Sequence, residues 1–219
     1  NGNSFSFPMS YGSYVMENIL FKISFPAEFH SQTAAEAAVK LHPQVKDRLN
    51  DIEKIVIHTH ESAIRIISKV GPLNNPADRD HCLQYMTAVP LAFGNLIAEH
   101  YENGFHQAHP IIDELREKMQ VHEDPNYTKE YLEPEKRSIA NALQVYFKDG
   151  NSTEKIEINY PVGHRRRREE GIPLLEAKFL ANLATRFPAA RCDKIYGLLK
   201  DQKKLETTPV NEFMDLMVI

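Results

Sequence analysis

Apolar and polar positions divide the chain into a mixed first part and an all-helical last part. From Ser31, SQTAAEAAVKL joins a capping residue to good helix formers, and His42-Pro43 follows, so the pattern predicts a helix over about Gln32 to Leu41. IEKIVIHTH alternates and is rich in β-branched residues, which predicts a strand over Ile52 to His60. ESAIRIISKV predicts a helix ending at Gly71-Pro72, and LNNPADRD reads as loop. A longer helix is expected from about Asp78 to Ala98, with apolar residues at mixed three- and four-residue spacings and a kink at Pro90. HPIIDELREKMQV places Pro in the first turn of a further helix. SIANALQVYFKDG and STEKIEINYPVG flank Asp149-Gly150-Asn151, which predicts a hairpin.

Beyond Gly163 three helical stretches follow one another, RRRREEGIPLLEAKFLANLATRF, AARCDKIYGLLKDQKKLE and VNEFMDLMVI. In the first 20 residues Gly2, Pro8 and Gly12 interrupt every apolar run, so residues 1–21 are expected to be a lead-in. The order helix, strand, helices, hairpin, helices is not regular βαβ. It implies an α+β unit over residues 22–162, with a small, mostly antiparallel sheet, followed by helices over 163–219.

Composition narrows the class. With 219 residues, 42% of them apolar, the chain can bury a real core. No stretch approaches the roughly 18 apolar residues of a membrane span and nothing reads as a signal peptide, so a soluble, unsecreted protein is expected. Cys82 and Cys192 stand far apart without CxxC spacing, which points away from a disulfide framework and fits a reducing compartment. A net charge of −4 provides no global attraction for nucleic acid. The run Arg165 to Arg168 could bind a polyanion, but Glu169 and Glu170 follow directly, which favours a solvated connector. The opening Asn-Gly-Asn suggests a fragment, although processing would look the same.

Two clusters could carry chemistry. Lys22, Glu28, His30 and Gln32 gather around FKISFPAEFHSQ, where a helix N-terminus favours bound carboxylates. The competing reading is that Ser31 and Glu28 merely cap the helix and His30 lies on the surface. In the second cluster, spacing puts His81 and Tyr85 on one helix face with Arg79 at its start; a partly buried Tyr is more often structural. His58 and His60 share a strand face, yet no third ligand lies at a diagnostic distance, so no metal site is assigned. GxGxxG, P-loop, GxSxG and HExxH patterns are all missing, which weakens the nucleotide, serine-hydrolase and zincin hypotheses. The residues by themselves lead as far as a protein that binds something anionic.

Four long segments go further: YGSYVMENILFKISFPAEFHSQTAAEAA, THESAIRIISKVGPLNNPADRDHCLQYM, EDPNYTKEYLEPEKRSIANALQVYFKDG and YPVGHRRRREEGIPLLEAKF. Together they resemble the second half of the MmgE/PrpD family, across essentially the whole chain. The resemblance implies the α+β lid and the closing helices of an enzyme whose N-terminal helical domain is missing here. It further implies a cofactor-free hydro-lyase acting on a tricarboxylate, 2-methylcitrate, in propionate breakdown, with citrate as an open second substrate. It implies a homodimer in bacterial cytoplasm or mitochondrial matrix, with neither nucleic acid nor membrane as partner. Lys22 matches the family's active-site lysine before Phe-Pro-Ala, and Tyr85 matches a tyrosine lining the site in the related cis-aconitate decarboxylase. His30 is the nearby imidazole, although the decarboxylase has a histidine where this chain has Glu28, and more distant relatives have one near Gln32. Arg79 and His81 are further expected substrate contacts. Alternatives are a decarboxylase or epimerase of the same family, or a non-catalytic dimerising module; the chain alone is expected to be inactive.

Overall fold

A computed structural model describes residues 19–218, so all but the last three residues of the expected lead-in lie outside the described part. Four strands form one sheet, β1 (Ile52–Thr59), β2 (Met119–Glu123), β3 (Asn141–Phe147) and β4 (Ile156–Ile158), in the order β2-β1-β3-β4. The β1/β3 and β3/β4 pairs are antiparallel and β1/β2 is parallel, so the sheet is mixed. Among the described residues eleven α-helices surround or follow it: α1 (Gln32–Val45), α2 (Glu61–Ile67), α3 (Pro76–Asp80), α4 (Leu83–Phe93), α5 (Asn103–Ala108), α6 (Ile111–Glu117), α7 (Pro125–Leu132), α8 (Arg168–Ala184), α9 (Ala189–Lys200), α10 (Gln202–Thr207) and α11 (Val210–Asp215). The α+β class expected from the sequence is therefore the class observed.

The chain divides into two compact units, one up to Arg168 and one from Glu169. In the first, Ile55 and Ile57 of β1 and Leu143, Val145 and Phe147 of β3 share a core with Ala34, Ala38 and Leu41 of α1 and with α4. Every residue from Leu83 to Leu91 is buried, including the hydrogen-bonded Gln84 and Thr87, so α4 is a core helix. The opposite face of the sheet carries Lys54, Val56, His58, Gln144 and Tyr146, all half-buried.

Several boundaries differ from expectation for local reasons. Pro43 does not end α1, which runs to Val45; in the last turn it forfeits only the hydrogen bond its own N–H would have made. The expected helix from Asp78 to Ala98 is two helices, interrupted at His81 and Cys82 and stopped at Gly94, whose φ is +78°. A Cβ on Gly94 would sit 2.8 Å from the His42 ring, so this position needs glycine for both conformation and space. Pro90 leaves α4 running on to Phe93. HPIIDELREKMQV is half helix and half strand, α6 followed by β2. The strand's inward positions, Met119 and Val121, are too few to separate it from the preceding helix by pattern. α5 and α7 were not expected, and the second tail helix breaks at Asp201, which caps α10 by accepting from the Lys204 N–H.

Candidate active site

The first expected cluster converges. Glu28, Phe29, His30 and Ser31 form a tight turn that leads into α1. Glu28 folds back onto the turn: its carboxylate accepts from the His30 N–H at 2.8 Å and lies 2.8 and 2.9 Å from His30 Nδ1. So Glu28 does cap the turn, as the bland reading held, while Ser31 Oγ donates to the Glu28 carbonyl instead of capping α1. The same carboxylate also orients an imidazole. With Nδ1 facing the carboxylate as donor, the neutral His30 ring presents an acceptor at Nε2. That atom lies 3.2 Å from the Tyr131 hydroxyl at the end of α7. Burial pushes the Glu28 carboxyl up, but the hydrogen bonds and electrostatics of the adjoining His30 outweigh it and hold the group below its ordinary range, with a smaller contribution from His81.

The turn is anchored from below. Asn141, the first residue of β3, donates to the His30 carbonyl at 2.8 Å and to Thr33 Oγ1 at 2.7 Å, and Thr33 donates to the Ile139 carbonyl. Gln32 is buried, with its amide nitrogen on the carbonyls of Phe25 and Ala27 at 2.9 and 2.8 Å. It thus shapes the Phe-Pro-Ala segment from inside. Lys22 is exposed and its amine lies 4.9 Å from the centre of the Phe29 ring, beside the same turn. The strand-like stretch that bears it is stapled by Phe21 N–H to the Gly163 carbonyl at 3.1 Å, and by the Arg168 guanidinium to the Ile19 carbonyl at 3.0 Å. Gly163 has no room for a side chain, since a Cβ would lie 1.6 Å from the Phe21 carbonyl oxygen.

His60 completes the cluster. It is fully buried at the start of α2, stacked on Tyr131 at 4.6 Å and 5.1 Å from His30 ring to ring. Burial, reinforced by the nearby His30, pushes it down to about 4, so it stays neutral. Its Nε2 has no hydrogen-bond partner among the described residues. The expectation that His58 and His60 share a strand face is corrected, because β1 ends at Thr59 and the chain turns there. His58 instead pairs with His122 across β1/β2, their rings 5.8 Å apart. No group of three or more His, Cys, Asp or Glu among the described residues is placed to share a metal ion.

The second expected cluster is drawn into the interior. Tyr85 is fully buried, donates to the His100 carbonyl at 2.6 Å, and burial pushes its hydroxyl up to about 12. Arg79 is 1% exposed, with Nε on the Tyr101 carbonyl at 2.7 Å and its other nitrogens on Asn103, His106 and the Leu73 carbonyl. Both side chains have their polar atoms committed to holding residues 100–106. No described contact joins Tyr85 to Lys22. His81 is exposed, bonded to Asp80 at 2.6 Å, and near enough to Glu28 to act on its charge. The arginine run makes local contacts: Arg167 grips Glu36 with two nitrogens, and Arg165 and Arg166 donate to the Glu135 carbonyl. Tyr131 had no sequence signal, because it lies 101 residues from His30 in an unpatterned polar stretch.

Comparison with known proteins places the chain in a family. The MmgE/PrpD C-terminal domain matches residues 25–202. The chain is 56% identical over its whole length to 2-methylcitrate dehydratase of Escherichia coli strain K12, covering 46% of that protein. It is 53% identical to the 2-methylcitrate dehydratase of Cupriavidus necator, with the same coverage of both chains. Against the mitochondrial 2-methylcitrate dehydratase of Yarrowia lipolytica it is 50% identical, covering 99% of this chain and 42% of that one. The chain thus spans about half the length of the curated relatives it matches.

Proposed function

The chain belongs to the MmgE/PrpD family, and on that premise we propose that it forms the C-terminal part of a hydro-lyase converting 2-methylcitrate to 2-methyl-aconitate. Elimination of water removes a proton from the carbon beside a carboxylate, forms the double bond and releases hydroxide, which leaves as water once protonated. Lys22 holds a substrate carboxylate as it gains enolate character, and His30, oriented by Glu28, takes the proton at Nε2. His81 lies at the rim beside Glu28. Gln32, Tyr85 and Arg79 act from beneath, keeping the turn and the 100–106 segment in place. The group that protonates the departing hydroxyl belongs to the part of the longer relatives that this chain does not match, so the chain alone is inactive. No cofactor takes part. Localisation follows the host, cytoplasm in bacteria and mitochondrial matrix in eukaryotes, and the working enzyme is a homodimer.

The observation that carries this reading is the Glu28–His30 pair, a carboxylate orienting a largely buried imidazole in the same turn that an exposed lysine flanks. The test replaces the matching C-terminal part of the E. coli enzyme with this chain. The folded chimera is expected to dehydrate 2-methylcitrate, followed by absorbance of the unsaturated product, while the isolated chain does not. A folded chimera that leaves 2-methylcitrate untouched, or releases carbon dioxide from cis-aconitate instead, overturns the assignment.

A further inference from the structure

We propose that Tyr131, backed by the buried ring of His60, is a positioning residue that holds His30 Nε2 ready as an acceptor. The inference rests on the reading that the Glu28–His30 pair works on substrate, and it adds two groups from elements far away in sequence. Glu28 alone fixes only one edge of the imidazole, and the ring could still swing about that contact. The Tyr131 hydroxyl, 3.2 Å from Nε2, engages the other edge. Tyr131 in turn cannot rotate freely, because His60 stacks on it with an interplanar angle of 17°. His60 suits that role because it is sealed from solvent and neutral, so it adds no like charge beside His30.

The arrangement has a chemical consequence. A hydroxyl donating to the Nε2 lone pair favours the uncharged imidazole, the form that can accept a proton. The titratable groups facing His30 are Glu28 on its own turn, His60 at the start of α2 and Tyr131 on α7, with His81 beyond Glu28. Substrate displaces the hydroxyl from Nε2 before the proton moves to that nitrogen, so the hydroxyl sets the aim of the ring in the free site and its removal alters turnover more than affinity.

The test uses the chimera described above. Tyr131→Phe keeps the stack on His60 and removes only the hydroxyl. It is expected to lower kcat about tenfold and leave KM within about twofold. His60→Ala, which removes the platform beneath Tyr131, is expected to behave like Tyr131→Phe. Independently of activity, nitrogen NMR of the unaltered chain should show His30 protonated at Nδ1 and free at Nε2. An Nε2-protonated His30, or an active Tyr131→Phe chimera with unchanged kcat, overturns the inference and leaves the dehydratase reading standing. A chimera inactive before any substitution strikes the function itself, while the NMR result still decides the geometry.

Discussion

The two units of this chain spend their apolar residues differently. Up to Arg168, the strands and helices enclose a core in which Leu41, Ile55, Ile57, Leu83, Met86 and Leu91 are fully buried. Among the described residues from Glu169 onward only Gly171, Cys192, Ile195 and Leu198 are buried, while Leu174, Val210, Met214 and Val218 are 47%, 77%, 53% and 61% exposed. At roughly 25 cal/mol per Å² of buried apolar surface, the first unit has a driving force of its own and the second has little. The candidate chemistry follows the same division. All ten histidines lie before Arg165, and Lys22, Glu28, His30 and Tyr131 stand on the unit with the rigid core. A site has to be held to within fractions of an ångström, so it is placed where packing can hold it.

Core truncation should break the symmetry between the units most strongly. Ile57→Ala, at a fully buried position on β1, is expected to cost about 2–5 kcal/mol in urea unfolding followed by circular dichroism. Leu198→Ala in α9 should leave that transition in place and affect only helical signal from the tail. A shared transition shifted equally by both changes would show that the units unfold as one.

The next largest effect concerns catalysis. In the chimera, Lys22→Ala is expected to lower kcat/KM about 10²- to 10³-fold with little change in melting temperature, since an exposed lysine beside the turn contributes charge and not packing. Lys203→Ala, an exposed lysine of α10, serves as the control and should change neither. Loss of activity explained wholly by unfolding would remove Lys22 from the mechanism.

Acid should separate the units more gently. His60 is held at about 4, far below its ordinary 6.5, first by burial and then by His30. His164 is held at about 4 by burial and by Arg165 and Arg166. Between these values the unfolded chain binds protons that the native state refuses, so stability is complete above about pH 6.5 and is lost as pH falls towards 4. Each group contributes at most about 2–3 kcal/mol. His60→Phe should flatten the decline measured by thermal melts across pH 7 to 4. The tail has no histidine and should keep its helicity through the same window. An equally steep decline in the variant would trace the acid sensitivity to other groups.

Local pattern was enough to place α1, β1, α2, the hairpin of β3 and β4, and a helical tail, because each carries its own periodicity, turn residue or cap. The same segment chemistry singled out Lys22, Glu28 and His30, which lie within nine residues of one another and whose grouping needs only a turn. Tertiary structure alone decided the rest. Parallel pairing of β2 with β1 brings together stretches some 64 residues apart, and five residues with two inward positions announce no such partner. Whether Tyr85 and Arg79 face a ligand or the interior depends on where the segment around residues 100–106 folds, which their own helix spacing does not contain. Tyr131 reaches His30 because α7 is carried there on the end of the sheet, and His60 lies beneath them because β1 stops one residue short of it. Short-range order is written in side-chain propensities over a few residues, whereas the meeting of distant side chains is set by how a whole core closes, and no single stretch of sequence encodes that closure.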